Sequence, residues 1–127
     1  MKTEFIPYKQ ALELKELGFD EPCFGLWNLN NGKYEVDIIG VCQYSKEFKY
    51  REVLAPLYQQ VFRWFREKYD KYGVVNIDLS NNLKDKIFVY MVEDKLGYII
   101  DRSEEYNTYE EAELACLNKL IEIVKNK

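Results

Sequence analysis

The side chains able to do chemistry in this chain are carboxylates, lysines, tyrosines and three cysteines; there is no histidine. Without imidazole the chain lacks the one group whose ordinary pKa lies near neutrality, and the commonest zinc and iron ligand. A Cys–His nucleophile pair cannot be assembled. Cys23, Cys42 and Cys116 are scattered, odd in number and without C-x-x-C spacing, so they form no disulfide framework. Buried free thiols are the expected state. No phosphate-binding glycine loop, G-x-S-x-G elbow or H-E-x-x-H pair occurs. The 22 acids single out no general acid/base pair by position. An enzyme here would have to rely on carboxylate or cysteine chemistry, which ranks third among the functional readings. No catalytic residue, cofactor or metal ligand is assigned.

Candidate binding residues are easier to find. Arg63 and Arg66 flank Trp64 in L-Y-Q-Q-V-F-R-W-F-R, and arginine beside an aromatic suits anion recognition or a protein hot spot. Against this, Arg63–Glu67 and Arg66–Asp70 are spaced as neutralising pairs four residues apart. Leu57 and Trp64 sit beside the apolar stripe of the same segment, which makes that flank the place to look for a contact surface. Tyr58, Trp64 and Arg63 would line a small-ligand pocket if one exists. Tyrosine, at 11 residues, supplies large rings with polar tips, fitting a core edge that reaches the surface or a binding face.

Ala55–Gly73 positions those residues and reads as a central helix around which the other elements pack. Pro56 suits its first position and Gly73 its end. At 100° per residue Tyr58, Val61, Phe62, Phe65, Tyr69 and Tyr72 span an arc about 100° wide, as a core-facing stripe does. Upstream, Pro7 to Gly18 reads as a short helix, with Phe19 placed to fold back onto it. Cys23 to Trp27 and Lys33 to Val41 read as strands joined by Asn31-Gly32, a tight-turn pair tolerant of positive φ. Ser45 to Glu52 reads as a loop. Val74 to Leu79, Ile87 to Val92 and Tyr98 to Arg102 read as an antiparallel meander joined by polar turns. Thr108-Tyr-Glu-Glu111 is a capping box opening a last helix to about Lys125, with Ala112, Cys116, Leu117, Leu120, Ile123 and Val124 inward. The expected architecture is α+β, one domain over residues 1–127, with three helices in the order α-β-β-α-β-β-β-α.

Charge narrows the partners. The net charge is −4 and no basic run occurs, a poor basis for binding a phosphate backbone. From Ala55 onward the element order is similar to that of the double-stranded-RNA-binding domain. That fold grips phosphates with lysines at the start of its last helix, where this chain reads T-Y-E-E-A-E. Between Asp101 and Glu113 six acids oppose Arg102, so no nucleic acid is expected. Acids at a helix start also serve its dipole, which weakens the idea that they mimic nucleic acid toward a basic protein. No apolar run reaches the ~18 residues a membrane span needs, and Met1–Tyr8 lacks a signal-peptide core. A soluble, cytoplasmic protein with no membrane association is expected.

The segments F-I-P-Y-K-Q-A-L-E-L-K-E-L-G-F-D-E-P-C-F, A-P-L-Y-Q-Q-V-F-R-W-F-R-E-K-Y and T-Y-E-E-A-E-L-A-C-L-N-K-L-I-E-I-V resemble a family of small proteins found in Bacteroidetes genomes, often among phage or prophage genes. The resemblance covers roughly Phe5 to Phe24, Ala55 to Tyr69 and Thr108 to Val124, and brings no activity or functional residues with it. It implies an accessory protein of phage or mobile-element origin. The resulting expectation is a non-catalytic module acting through a protein partner or as a homodimer. A small-ligand binder or sequestering protein with a counter-defence role is the alternative.

Overall fold

The computed structural model describes residues 4–42, 52–78 and 86–126. The expected loop at Ser45–Glu52, apart from Glu52, and the expected turn at Ser80–Lys86, apart from Lys86, lie outside them, as do Leu79 and the Cys42 side chain. The elements follow the order α-β-β-β-α-β-β-β-α: α1 Tyr8–Glu16, β1 Cys23–Asn30, β2 Lys33–Cys42, β3 Val53–Ala55, α2 Tyr58–Tyr69, β4 Tyr72–Asp78, β5 Ile87–Glu93, β6 Ile99–Arg102 and α3 Tyr109–Lys125. This is an α+β fold with two three-stranded antiparallel sheets. The chain gathers into two units, Met1–Val61 and Phe62–Lys127.

In the first unit α1 ends as its sequence dictates. Gly18 adopts φ 98°, and the Phe19 N–H donates to the Leu14 carbonyl at 2.9 Å while its ring is buried. Asn31 and Gly32 take φ 51° and 80°, the paired positive values of a tight hairpin turn. That turn sets Asn30 opposite Lys33, and the pairing continues to Trp27 opposite Val36.

β3 is an element beyond the expected order. It pairs Ala55 with Gly25 and Val53 with Trp27, completing a sheet ordered β2-β1-β3. Three residues are too few to show an alternation, and all three are buried. Pro56 follows β3 instead of opening α2. It lacks an N–H, but its carbonyl accepts from the Ile6 N–H at 2.8 Å. Phe5 crosses the sheet where Gly25 leaves room: a Cβ there would lie 2.7 Å from Phe5 Cε1.

The second unit stacks α3 on the sheet β4-β5-β6. Thr108 caps α3 by accepting from the Glu111 N–H at 3.1 Å, and its hydroxyl donates to the Glu111 carboxylate at 3.0 Å. Ala112, Cys116, Leu117, Leu120, Ile121 and Val124 are buried; Ile123, expected inward, is only half-buried. Gly73 faces α3, where a Cβ would meet Cys116 and Leu120; Ile77, on the same side of β4 by alternation, is exposed.

Two expectations about the end of α2 are corrected. The helix stops at Tyr69, and Asp70, not Gly73, takes the left-handed φ of 54°. Tyr72 and Gly73 then belong to β4, where a strand close to a helix explains the glycine better than a helix cap does.

Candidate functional site

The residues proposed from sequence fall on both sides of the unit boundary. In the first unit Leu57 is half-buried against Phe5, Val36 and Ala55, and Tyr58 is buried. In the second, Trp64 is only 5% exposed. Its ring meets Phe65 and Tyr69 edge-on at 5.1 and 5.4 Å, and the Lys68 ammonium lies 5.1 Å from its centre. Trp64 is therefore part of the buried set and not a side chain beyond what the core requires. Of the three residues expected to line a ligand pocket, Tyr58 belongs to the first unit, and Trp64 and Arg63 to the second.

Arg63 is exposed and its Nε lies 3.9 Å from Glu67 Oε1. The Arg66–Asp70 pair does not form among the described residues, because Asp70 leaves the helical path at its positive φ. Solvent-facing pairs of this kind contribute little.

The second unit does contain a cleft. It measures about 560 Å³ and is lined by Asp78, Val89, Arg102, Ser103, Glu104 and Glu105. Its size suits a small molecule, but Val89 is its one apolar wall, whereas ligand sites are mostly apolar. Among the described residues no group of histidine, cysteine or acid side chains is arranged to hold a metal.

On the α3 side of the sheet lies a buried polar group. Tyr90 donates its hydroxyl to Asp101 at 3.0 Å and takes the Ser103 hydroxyl as acceptor for its own N–H at 2.8 Å. Burial first, then the Asp101 carboxylate, hold the Tyr90 phenol well above its ordinary value. Burial pushes the Cys116 thiol up from 9.0 to about 12. Both groups therefore sit neutral and inert at neutral pH, as structural residues do.

These two groups predict an alkaline limit. A group whose folded pKa exceeds its unfolded one holds its proton more tightly when folded. Its contribution is intact below the unfolded pKa and fades as pH rises through the folded one. Melting temperature should stay level to about pH 9 and then fall, with Cys116 losing its contribution between 9.0 and about 12 and Tyr90 adding to the loss above 10.0. Cys116→Ala should move the onset upward by about one pH unit, toward the tyrosine range. An unchanged onset would remove the thiol from the account.

What the sequence did not reveal is a run of exposed apolar side chains. Leu96 is 73% exposed, Tyr98 69%, Ile99 54% and Ile100 45%. They occupy the turn into β6 and β6 itself, the edge strand of its sheet. A type I turn with Gly97 at φ 86° and Asp94 Oδ1 accepting from the Leu96 and Tyr98 N–H groups holds the run in place. The Ile99–Ile100 pair reads as an ordinary strand in sequence, and only the tertiary structure shows that no further layer of the described residues covers it.

Comparison of the chain with family models, curated proteins and solved structures finds no match. No helix of the described residues is long and apolar enough to cross a membrane.

Proposed function

We propose that this protein is a non-catalytic binding module acting through protein contacts. The observation that carries this reading is the continuous exposure of Leu96, Tyr98, Ile99 and Ile100 on a sheet edge. Scattered exposed leucines are unremarkable, but a contiguous apolar group is what protein interfaces use. The edge is short and its register shifts at Val92/Glu93, two features that blunt main-chain pairing with another strand. The contact is accordingly one of side chains, with Tyr98 as an aromatic anchor. The charged lining of the nearby cleft does not favour a small-ligand function. In the setting the sequence resemblance implies, such a module would be a phage or mobile-element accessory protein.

The test compares the wild type with Ile99→Lys/Ile100→Lys as baits in lysate of the source cells. Both positions are exposed, so the double variant should melt within a few degrees of wild type. At least one protein retained by the wild type should be lost from the variant. Identical retained sets would remove this patch as the contact surface.

A further inference from the structure

The first unit offers a second and different kind of edge. β2 is the outer strand of β2-β1-β3, and its pairing with β1 runs without a shift from Asn30↔Lys33 to Gly25↔Ile38. A two-residue hairpin loop makes the pair that flanks it a hydrogen-bonded one. Antiparallel partners then alternate, so Glu35 and Asp37 bond to β1 while Tyr34, Val36 and Ile38 turn their N–H and C=O groups outward. Three successive outward residues in phase are a template for another strand. Tyr34 is 42% and Ile38 55% exposed, and Glu35 is exposed between them.

Side chains say which strand would fit. Tyr34, Val36 and Ile38 share one face, and Val36 there belongs to the Phe5–Ala55 cluster. Tyr34 is fixed by stacking on Tyr8, with ring centres 3.7 Å apart. The opposite face carries Lys33, Glu35 and Asp37. The Asp37 carboxylate accepts from the neutral Asn28 amide at 2.7 Å, and Glu35 forms no ion pair among the described residues. A second copy paired in phase about Val36 would set Glu35 opposite Asp37 of that copy, twice, and like charges directly opposite oppose pairing. Cations at those two places would favour it.

We propose that the edge of β2, unpaired among the described residues, accepts, by strand addition, an extended segment of another protein in which apolar residues alternate with lysine or arginine. The alternation sets the two cations opposite Glu35 and Asp37 and the apolar residues opposite Tyr34, Val36 and Ile38. This edge uses different residues from Leu96–Ile100, and shares with the proposed function only that the chain acts through protein contacts.

The test titrates the isotope-labelled full chain with the capped peptide Thr-Val-Lys-Val-Arg-Val-Thr, and with the same peptide carrying glutamate for both cations. The expected result is saturable shifts centred on the amides of Tyr34, Val36 and Ile38, with their hydrogen exchange slowed. The basic peptide should bind at least about fivefold more tightly than the acidic one, and Glu35→Lys should weaken it about fivefold. Absence of saturable shifts, or equal affinity for the two peptides, would overturn the proposal. So would a free protein already dimeric with those three amides protected, since a second copy would then occupy the edge. Shifts centred on Leu96–Ile100 would overturn strand addition while leaving the proposed function standing.

Discussion

Trp64→Ala should cost about 3–5 kcal/mol of folding stability, the usual range for removing a buried tryptophan. Against a typical total of about 5–15 kcal/mol, that loss should leave a partly unfolded protein at 37 °C. The reason is geometric. The indole is 5% exposed, meets the Phe65 and Tyr69 rings edge-on, and carries the Lys68 ammonium near its face. Truncation removes all these contacts and leaves a void that one turn of helix cannot close. Trp64→Phe should recover much of the loss, because it restores a ring in the same place. Urea unfolding of the three proteins makes the comparison. A loss below about 1 kcal/mol for Trp64→Ala, with partner capture abolished, would return Trp64 to a binding surface.

Gly73→Ala is expected to be the second most damaging change, at about 1–3 kcal/mol for one methyl group. A Cβ at this position would lie 2.8 Å from Cys116 Sγ and 3.0 Å from Leu120 Cδ1. Both neighbours are fully buried on α3, and close-packed interiors yield little to an added methyl group. Gly73 is not among the positive-φ glycines, so space alone decides the effect. The diagnostic variant is therefore the double one. Cys116→Ala should cost stability by itself, yet combined with Gly73→Ala it should cost less than the sum, because the two positions share the same space. Strict additivity in denaturant midpoints would mean that β4 and α3 do not meet as closely as the geometry requires.

The two edges differ in a way that matters for both binding proposals. β6 is four residues long and bulged, with apolar side chains outward. β2 is ten residues long and evenly paired where it faces β1 near the turn. The first is suited to side-chain contact and the second to main-chain pairing, so variants at Ile99/Ile100 and at Glu35 should act on different interactions. Each can fail without the other.

Local signals were the ones legible in the sequence. Asn31-Gly32 determined a hairpin because two adjacent positive φ values are cheap only for such residues. Thr108 and Glu111 determined the start of α3 because a hydroxyl three residues ahead of a free N–H can satisfy it. The meander followed from three short β-rich segments with polar breaks, and the buried side of α2 from its 3.6-residue period. The turn and the cap rest on contacts between residues near in sequence, so pattern alone carries them.

Tertiary structure decided the rest. Val53–Ala55 is a strand only because β1 lies alongside it, and three residues have no period of their own. Gly73 carries the residue type of a helix end, but its meaning comes from Cys116 and Leu120, more than forty positions away. Trp64 lies beside the apolar stripe on a helical projection, but a stripe's width is set by what covers the helix, which no single segment records. The exposure of Ile99 and Ile100 was hidden for the same reason: a β-branched pair reads alike whether a further layer covers it or water does. Burial and strand pairing are properties of the assembled chain: the Leu96–Ile100 surface is defined by exposure, and the β2 edge by main-chain groups left without a neighbouring strand among the described residues.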